Sequence, residues 1–271
     1  MKLWILLMNT ILEKLTSQIF FKDILLSVSF LTRIPISKDL IFERNLMDAA
    51  WSFPLIGGLV GFLGGIVALL LSYFSISPII ISFITIGTII LLTGGLHEDG
   101  LADTADGFGS NKNPEGKINI MRDSQIGVYG TLALIIAISV KAVALSELIN
   151  KDQFFACIIA LIVSGALSRS TIVGIAFFLE TASETGLASV AGKPRAPGVG
   201  ICFFISIFFC LFLLPLTKVL VAILLSIATT VVIGFLSKKQ INGYTGDILG
   251  TTQVLSETAL LNYLATSKMQ V

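Results

Sequence analysis

The chain is poor in charge, and that scarcity is the first constraint. Only 13% of its 271 residues are Asp, Glu, Lys or Arg, where an ordinary soluble domain carries about 25%. Hydrophobic residues make up 55%, and the mean hydropathy is +0.93. This balance disfavours a soluble protein with an oversized core and points to a polytopic membrane protein. The net charge of +1 implies no general affinity for nucleic acid. Three cysteines, Cys157, Cys202 and Cys210, lie in apolar runs without CxxC spacing, which argues against disulfides, zinc and iron–sulfur centres. One histidine, His97, is present. No Ser-His-Asp or Cys-His arrangement is evident, so covalent catalysis is not suggested. A fixed repeat and low-complexity tracts are also missing.

What is there is a set of long apolar runs. A hydrocarbon core of about 30 Å needs roughly 20 apolar residues in a helix. Six runs come close, at approximately 51–74, 78–96, 128–148, 154–178, 199–216 and 218–236. A weaker seventh, 251–266, contains Gln253, Glu257 and Asn262. The expected fold is all-α: one membrane domain over 1–271, a polytopic helical bundle of six to seven transmembrane helices. At the N-terminus, Trp4, Leu7, Met8, Ile11 and Leu15 share one side of a helix, opposite Lys2, Asn9, Glu13 and Thr16. That pattern predicts an amphipathic helix lying in the interface rather than a signal peptide. Residues 22–36, with Lys22, Asp23 and Arg33, are expected at or dipping into the interface, so 1–50 reads as an interfacial or re-entrant segment. Gly57, Gly61 and Gly65 at four-residue spacing predict close helix–helix packing.

Orientation follows from the cations. If the spans alternate, six Lys and Arg before the first span share a side with Lys112, Lys117, Arg122, Lys193, Arg195, Lys238 and Lys239. Only Lys151, Lys218 and Lys268 fall opposite. The N-terminus and the three long loops are therefore expected in the cytoplasm.

The loop over 97–127 is the richest in chemistry. Gly94 to Gly107 reads GGLHEDGLADTADG and carries Glu98, Asp99, Asp103 and Asp106 directly behind an apolar run. In a helix, Asp99, Asp103 and Asp106 share one face. Three like charges on one face repel, and a divalent cation with a taste for hard oxygen ligands, such as Mg²⁺, would relieve them. The residues between are Gly, Leu, Ala and Thr, which suggests a packed element rather than a solvated tail. His97 is a candidate general acid or base, or a hydrogen-bond donor behind the ligands. Downstream, Arg122 could clamp a phosphate and Asp123 could add a metal ligand or cap a helix. Arg169 lies within an apolar run and is a functional candidate by its position, with Lys141 a weaker one. Both could instead snorkel, or pair with Glu147 or Glu257. Lys193 and Arg195 offer two cations on a Pro-stiffened loop, fit for a polyphosphate or for an ordinary positive-inside loop. Asp247 sits among glycines in GYTGDILG and could complete a metal or sugar site. Carboxylates, arginines and glycine turns on one membrane face suit metal-assisted phosphoryl or nucleotidyl transfer.

These motifs resemble a known family. GGLHEDGLADTADG, MRDSQIGVYG, ALSRS, GYTGDILG and the early FLTRIPI at 30–36 are similar, in order, to those of cobalamin synthases, the adenosylcobinamide-GDP ribazoletransferases. The resemblance spans residues 30 to about 250. It implies an enzyme integral to the prokaryotic cytoplasmic membrane that joins α-ribazole, or its 5′-phosphate, to adenosylcobinamide-GDP, releases GMP and uses Mg²⁺. Under it, Asp99, Asp103 and Asp106 would hold Mg²⁺ on the diphosphate. Glu98, Asp123 or Asp247 would ligate a second ion or act as general base. Arg122 and Arg169, with Lys193 and Arg195, would neutralise phosphate charge. Partners implied are the two substrates and membrane lipid, with room for a homo-oligomer or association with other cobalamin-assembly enzymes. Two rival readings are a phospholipid-type alcohol phosphotransferase, whose motif carries an Arg where Asp103 stands, and a transporter using Lys141, Arg169 and Glu257.

Overall fold

The computed structural model describes residues 18–37, 44–150 and 153–266. The amphipathic helix expected over the first sixteen residues lies outside them. Among the described residues the fold is all-α. It comprises α1 (18–31), α2 (Phe53–Ser72), α3 (Pro78–Thr93), α4 (Leu96–Gly109), α5 (Pro114–Met121), α6 (Val128–Asn150), α7 (Phe154–Phe178), α8 (Leu187–Ala191), α9 (Ala196–Leu213), α10 (Leu216–Ile241) and α11 (Gly246–Thr266). Among the described residues five helices are long and apolar enough to cross a membrane: that of Ala50–Ser72, then α6, α7, α9 and α10. α3 passes the same test only jointly with α4, and the two are bent by 93°.

α7 is the centre of the bundle. In its apolar window 83% of residues are buried, against 22% in α9 and 28% in α10, which present Phe204, Phe208, Phe212 and Leu224 outward. α2 lies against α7 because glycine lets it. A Cβ on Gly57 would stand 2.1 Å from the Gly165 carbonyl oxygen, and one on Gly61 2.1 Å from that of Leu161. Backbones this close gain dispersion contacts along the whole seam, the main source of helix association in lipid. The expected packing role of this glycine row holds.

The weak seventh run proves central. α11 packs on α7, α4, α6 and α10, and its polar residues Gln253, Ser256 and Glu257 are buried in protein. Hydropathy undervalued it because its polar side chains face other helices. Residues 22–36, placed at the interface from composition, fold partly as α1. Its Asp23 is 2% exposed and accepts bonds from Arg44 (Nε to Oδ1, 2.8 Å; Nη2 to Oδ2, 2.9 Å) and from Trp51 Nε1 (2.9 Å).

The 97–127 stretch is not a loop. Gly94 and Gly95 both adopt φ near +69°, a left-handed pair that only glycine accepts without strain. They turn the chain by the 93° that sends α4 across one end of the bundle rather than along the span. α5 follows, capped by Asn113, whose side chain accepts from the Gly116 amide at 3.0 Å.

Candidate active site

α4 is held between two different environments. Its inner residues His97, Glu98, Gly100, Leu101 and Thr104 are buried, while Asp99 is exposed and Asp103 and Asp106 are half-buried. The i, i+4, i+7 face read from the sequence is therefore the outer one. The inner face meets α11 almost without side chains between. A Cβ on Gly100 would lie 2.8 Å from the Asp247 carbonyl oxygen, and one on Gly250 3.1 Å from that of His97. Thr251 Oγ1 donates across the seam, 2.9 Å from the Gly100 carbonyl oxygen and 2.8 Å from Thr104 Oγ1. So Gly250 of GYTGDILG and Gly100 of α4 bring the two helices together, and that approach carries Asp247 up to the acids of α4.

Two cavities open at this end of the bundle. The smaller, about 290 Å³, includes Phe30, Met47, His97, Ile172, Tyr244 and Asp247 in its walls. The larger and more open one, about 900 Å³, is bounded by Ser29, Thr32, Arg33, Asp103, Asp123 and Ser124 among others. Asp99 and Arg122 belong to the walls of both, so they stand at the junction. Arg122 is fixed there from the opposite loop, with Nη2 2.7 Å from Ser183 Oγ and 2.9 Å from both the carbonyl oxygen and Oγ1 of Thr185. That loop is itself pinned to the start of α11 by a bridge between Thr181 and Tyr244, with Ala182 N donating to the Tyr244 carbonyl at 2.9 Å.

The electrostatics follow from this crowding. Burial, then the neighbouring charges of Asp99, Asp247 and Asp106, push the Asp103 carboxyl up to about 7. Burial also raises Asp247, opposed by the hydrogen bond from Thr245 Oγ1 to its Oδ2 at 3.0 Å. Acids this mutually repulsive are short of a cation. Among the described residues no three His, Cys, Asp or Glu side chains converge as a ready ligand cage. Mg²⁺ does not require one, since it is commonly held by one or two carboxylates together with substrate phosphates and water. The all-oxygen donors of Asp99 and Asp103 fit such an ion.

The remaining candidates divide. Asp106 is occupied as an anchor for α6, accepting from the Gly127 amide at 2.7 Å and the Gly130 amide at 2.9 Å. Asp123 accepts from the Gln125 amide at 3.1 Å and lines the larger cavity. Glu98 turns inward, its Oε1 3.7 Å from Lys141 Nζ. Arg169 is not brought to either cavity wall described. It is 2% exposed, and its Nη1 lies 2.6 Å from Glu257 Oε1, while Lys141 Nζ lies 2.6 Å from Oε2 of the same carboxylate. A phosphate would have to displace that partner. Lys193 is paired with Glu180, and Arg195 lies 3.3 Å from Asp48. Neither borders the cavities described.

One cation escaped the sequence reading as a site residue. Arg33 borders the larger cavity, and its backbone amide donates to the Leu92 carbonyl oxygen at 2.7 Å. A Cβ on Gly94 would lie 1.9 Å from Arg33 Nε, so the side chain crosses directly over the glycine corner. The signal was FLTRIPI itself, which pointed to family but not to this corner.

Fold and site together define a polytopic membrane protein that presents acids and arginines to a two-lobed cavity at one end of its bundle. The chain belongs to the cobalamin-5-phosphate synthase family, whose model matches residues 23–265. It is similar to the adenosylcobinamide-GDP ribazoletransferase of Sinorhizobium medicae, 37% identical over 91% of this chain and 97% of the relative. It is also similar to that of Bradyrhizobium diazoefficiens, 33% identical over 91% and 94%, and that of Brucella ovis, 35% identical over 88% and 94%. No solved structure matches it.

Proposed function

We propose that this chain is an adenosylcobinamide-GDP ribazoletransferase, which joins α-ribazole or its 5′-phosphate to adenosylcobinamide-GDP and releases GMP. The observation that carries the chemistry is the junction, where Asp99 and Arg122 face both cavities and Asp103 and Asp247 stand close by. In the reaction a ribose hydroxyl oxygen forms a bond to the phosphorus next to cobinamide, and the bridging P–O bond to GMP breaks. The hydroxyl proton goes to a base. Asp247 suits that role, because burial raises its carboxyl above the ordinary carboxylate range, which makes it a better proton acceptor, and because it lines the smaller cavity. Arg122, with Arg33 in the wall of the same cavity, neutralises the diphosphate oxygens and steers them to the junction.

Asp99 and Asp103 would hold Mg²⁺ on the diphosphate, and Asp123 lines the same cavity. Bound there, the ion would withdraw charge from the phosphoryl oxygens and ease departure of GMP. In this reading Arg169 and Lys141 serve the frame rather than the phosphates. The end of the bundle that bears the site faces the cytoplasm, as the distribution of Lys and Arg supports.

The test is incubation of membranes with adenosylcobinamide-GDP, α-ribazole phosphate and Mg²⁺, followed by detection of GMP. Asp103→Asn should insert normally and lose activity by at least about a hundredfold, the scale of one lost charge-stabilising group. Wild-type turnover by Asp103→Asn would overturn the metal assignment.

A further inference from the structure

The two cavities differ in chemistry as well as size, and the transfer has two substrates. We propose that the smaller cavity is the α-ribazole site, and that His97 reads the ring nitrogen of its base, while the larger cavity takes the corrinoid with its diphosphate. This rests on the function proposed above and deepens it.

Size settles the first step. A corrin macrocycle with its amide arms far exceeds a space of about 290 Å³, whereas a benzimidazole riboside is near the lower end of what such pockets hold. Polarity settles the second. The guanine of the other substrate is also flat and heteroaromatic, but its edge carries several donors and acceptors. Phe30, Met47, Ile118, Ile172 and Leu249 could not satisfy them, and of the polar side chains in that wall Ser183 and Thr185 are engaged by Arg122 and Thr245 by Asp247, so several polar atoms of the guanine would be buried at a cost. A benzimidazole asks for apolar contact and one hydrogen bond to its free ring nitrogen. The larger cavity has what the diphosphate and amide arms need, with Arg33 and Arg122 as cations and Ser29, Thr32 and Ser124 as hydroxyls.

His97 supplies an independent observation. It is 3% exposed, contributes to the wall of the smaller cavity, and its Nε2 is buried with no hydrogen-bond partner among the described residues. Almost every buried polar atom in a folded protein is bonded, so an orphan at a cavity wall points to a ligand. Asp247 lies in the same wall, so a proton acceptor shares the cavity with the attacking ribose hydroxyl.

The experiment uses the full chain in detergent and measures KM for each substrate separately. Ala188 and Ala191 are buried in the wall of the smaller cavity, and Ala188→Leu or Ala191→Leu fills it. The KM for α-ribazole should rise about tenfold or more, the scale of a few misplaced methylenes, with that for adenosylcobinamide-GDP within about twofold. Met47→Ala should instead raise the preference for a naphthimidazole riboside over α-ribazole. Wild-type protein should favour α-ribazole over an indole riboside, which lacks the ring nitrogen, and His97→Phe should abolish that preference. A rise confined to the KM for adenosylcobinamide-GDP, or unchanged selectivity in Met47→Ala and His97→Phe, would overturn the assignment. Failure of the wild type to release GMP would instead sink the proposed function, so the two failures are distinguishable.

Discussion

Glu257→Gln tests how the site is supported. Four charges are buried together where α4, α6, α7 and α11 meet: Lys141 and Arg169 against Glu98 and Glu257. Their sum is zero. Gln at 257 leaves a net positive charge in a setting where both arginine and lysine are under 5% exposed in their side chains. Breaking one buried pair in this way costs about 3–5 kcal/mol. The Lys141 half of the loss is softened by Glu98 Oε1 at 3.7 Å. The Arg169 half is not, because its other acceptors, Ser168 Oγ at 3.2 Å and the Gly165 carbonyl at 3.4 Å, are neutral and long. Arg169→Met combined with Glu257→Gln restores the balance and leaves Lys141 facing Glu98. The double variant should therefore be more stable than Glu257→Gln alone, by about 2 kcal/mol or more. Unfolding by SDS in mixed micelles, followed by circular dichroism, measures each corner of the cycle. A loss below about 1 kcal/mol in Glu257→Gln, or a double variant less stable than the single, would refute the closed-cluster account. Retention of GMP release by the double variant would also separate Arg169 from the phosphate-binding cations.

Asp103 carries a pH signature. Its carboxyl lies at about 7 in the fold against an ordinary 3.8, so it favours the protonated form, and its contribution to stability is lost as pH rises from about 4 through 7. In EDTA the melting temperature should fall across that window, and Mg²⁺ should raise it most near pH 8. Equal Mg²⁺ stabilisation at pH 5 and 8 would contradict a cation at these carboxylates. For orientation, the native cysteines are all buried, so Lys112→Cys would be the exposed thiol. A membrane-impermeant maleimide should label it in inverted vesicles and not in intact cells, and labelling in intact cells would reverse the proposed topology.

Much of the fold was legible because hydropathy measures what lipid selects. The six long runs all became helices, and the glycine row on α2 announced a seam that needs no charge to read. α11 was undervalued for a physical reason: a helix buried among others escapes lipid on every side, so its polar residues carry no hydropathy penalty in the fold. The acidic face of α4 was legible from spacing alone, yet the 93° corner before it was not, because two glycines permit a left-handed turn without requiring one. Arg169 shows the limit of reasoning from single residues. An intramembrane arginine marks either a ligand or a partner, and the partner, Glu257, lies 88 residues away. Only the fold could choose between them. Arg33 was overlooked for the opposite reason, since an interfacial arginine is ordinary until a glycine corner is found beneath it.

The same division bears on the transport alternative. A conducting path would need polar groups free to exchange partners along the depth of the bundle. Here the charges at depth are paired with one another, with Gln253 Nε2 further fastening Ser168 Oγ at 3.1 Å. Of the four buried polar side-chain atoms without a partner among the described residues, two belong to the adjacent residues His97 and Glu98, at the start of α4. His97 lies in the wall of the smaller cavity, while Glu98 turns its other oxygen to Lys141 in the buried charge cluster. A rigid, neutral base under a mobile-substrate cavity is what positioned chemistry needs, since a misplacement of about 1 Å at the reacting atoms costs about a hundredfold in rate. The buried charges earn their place by holding α4 still, and the outer acids act because it is held.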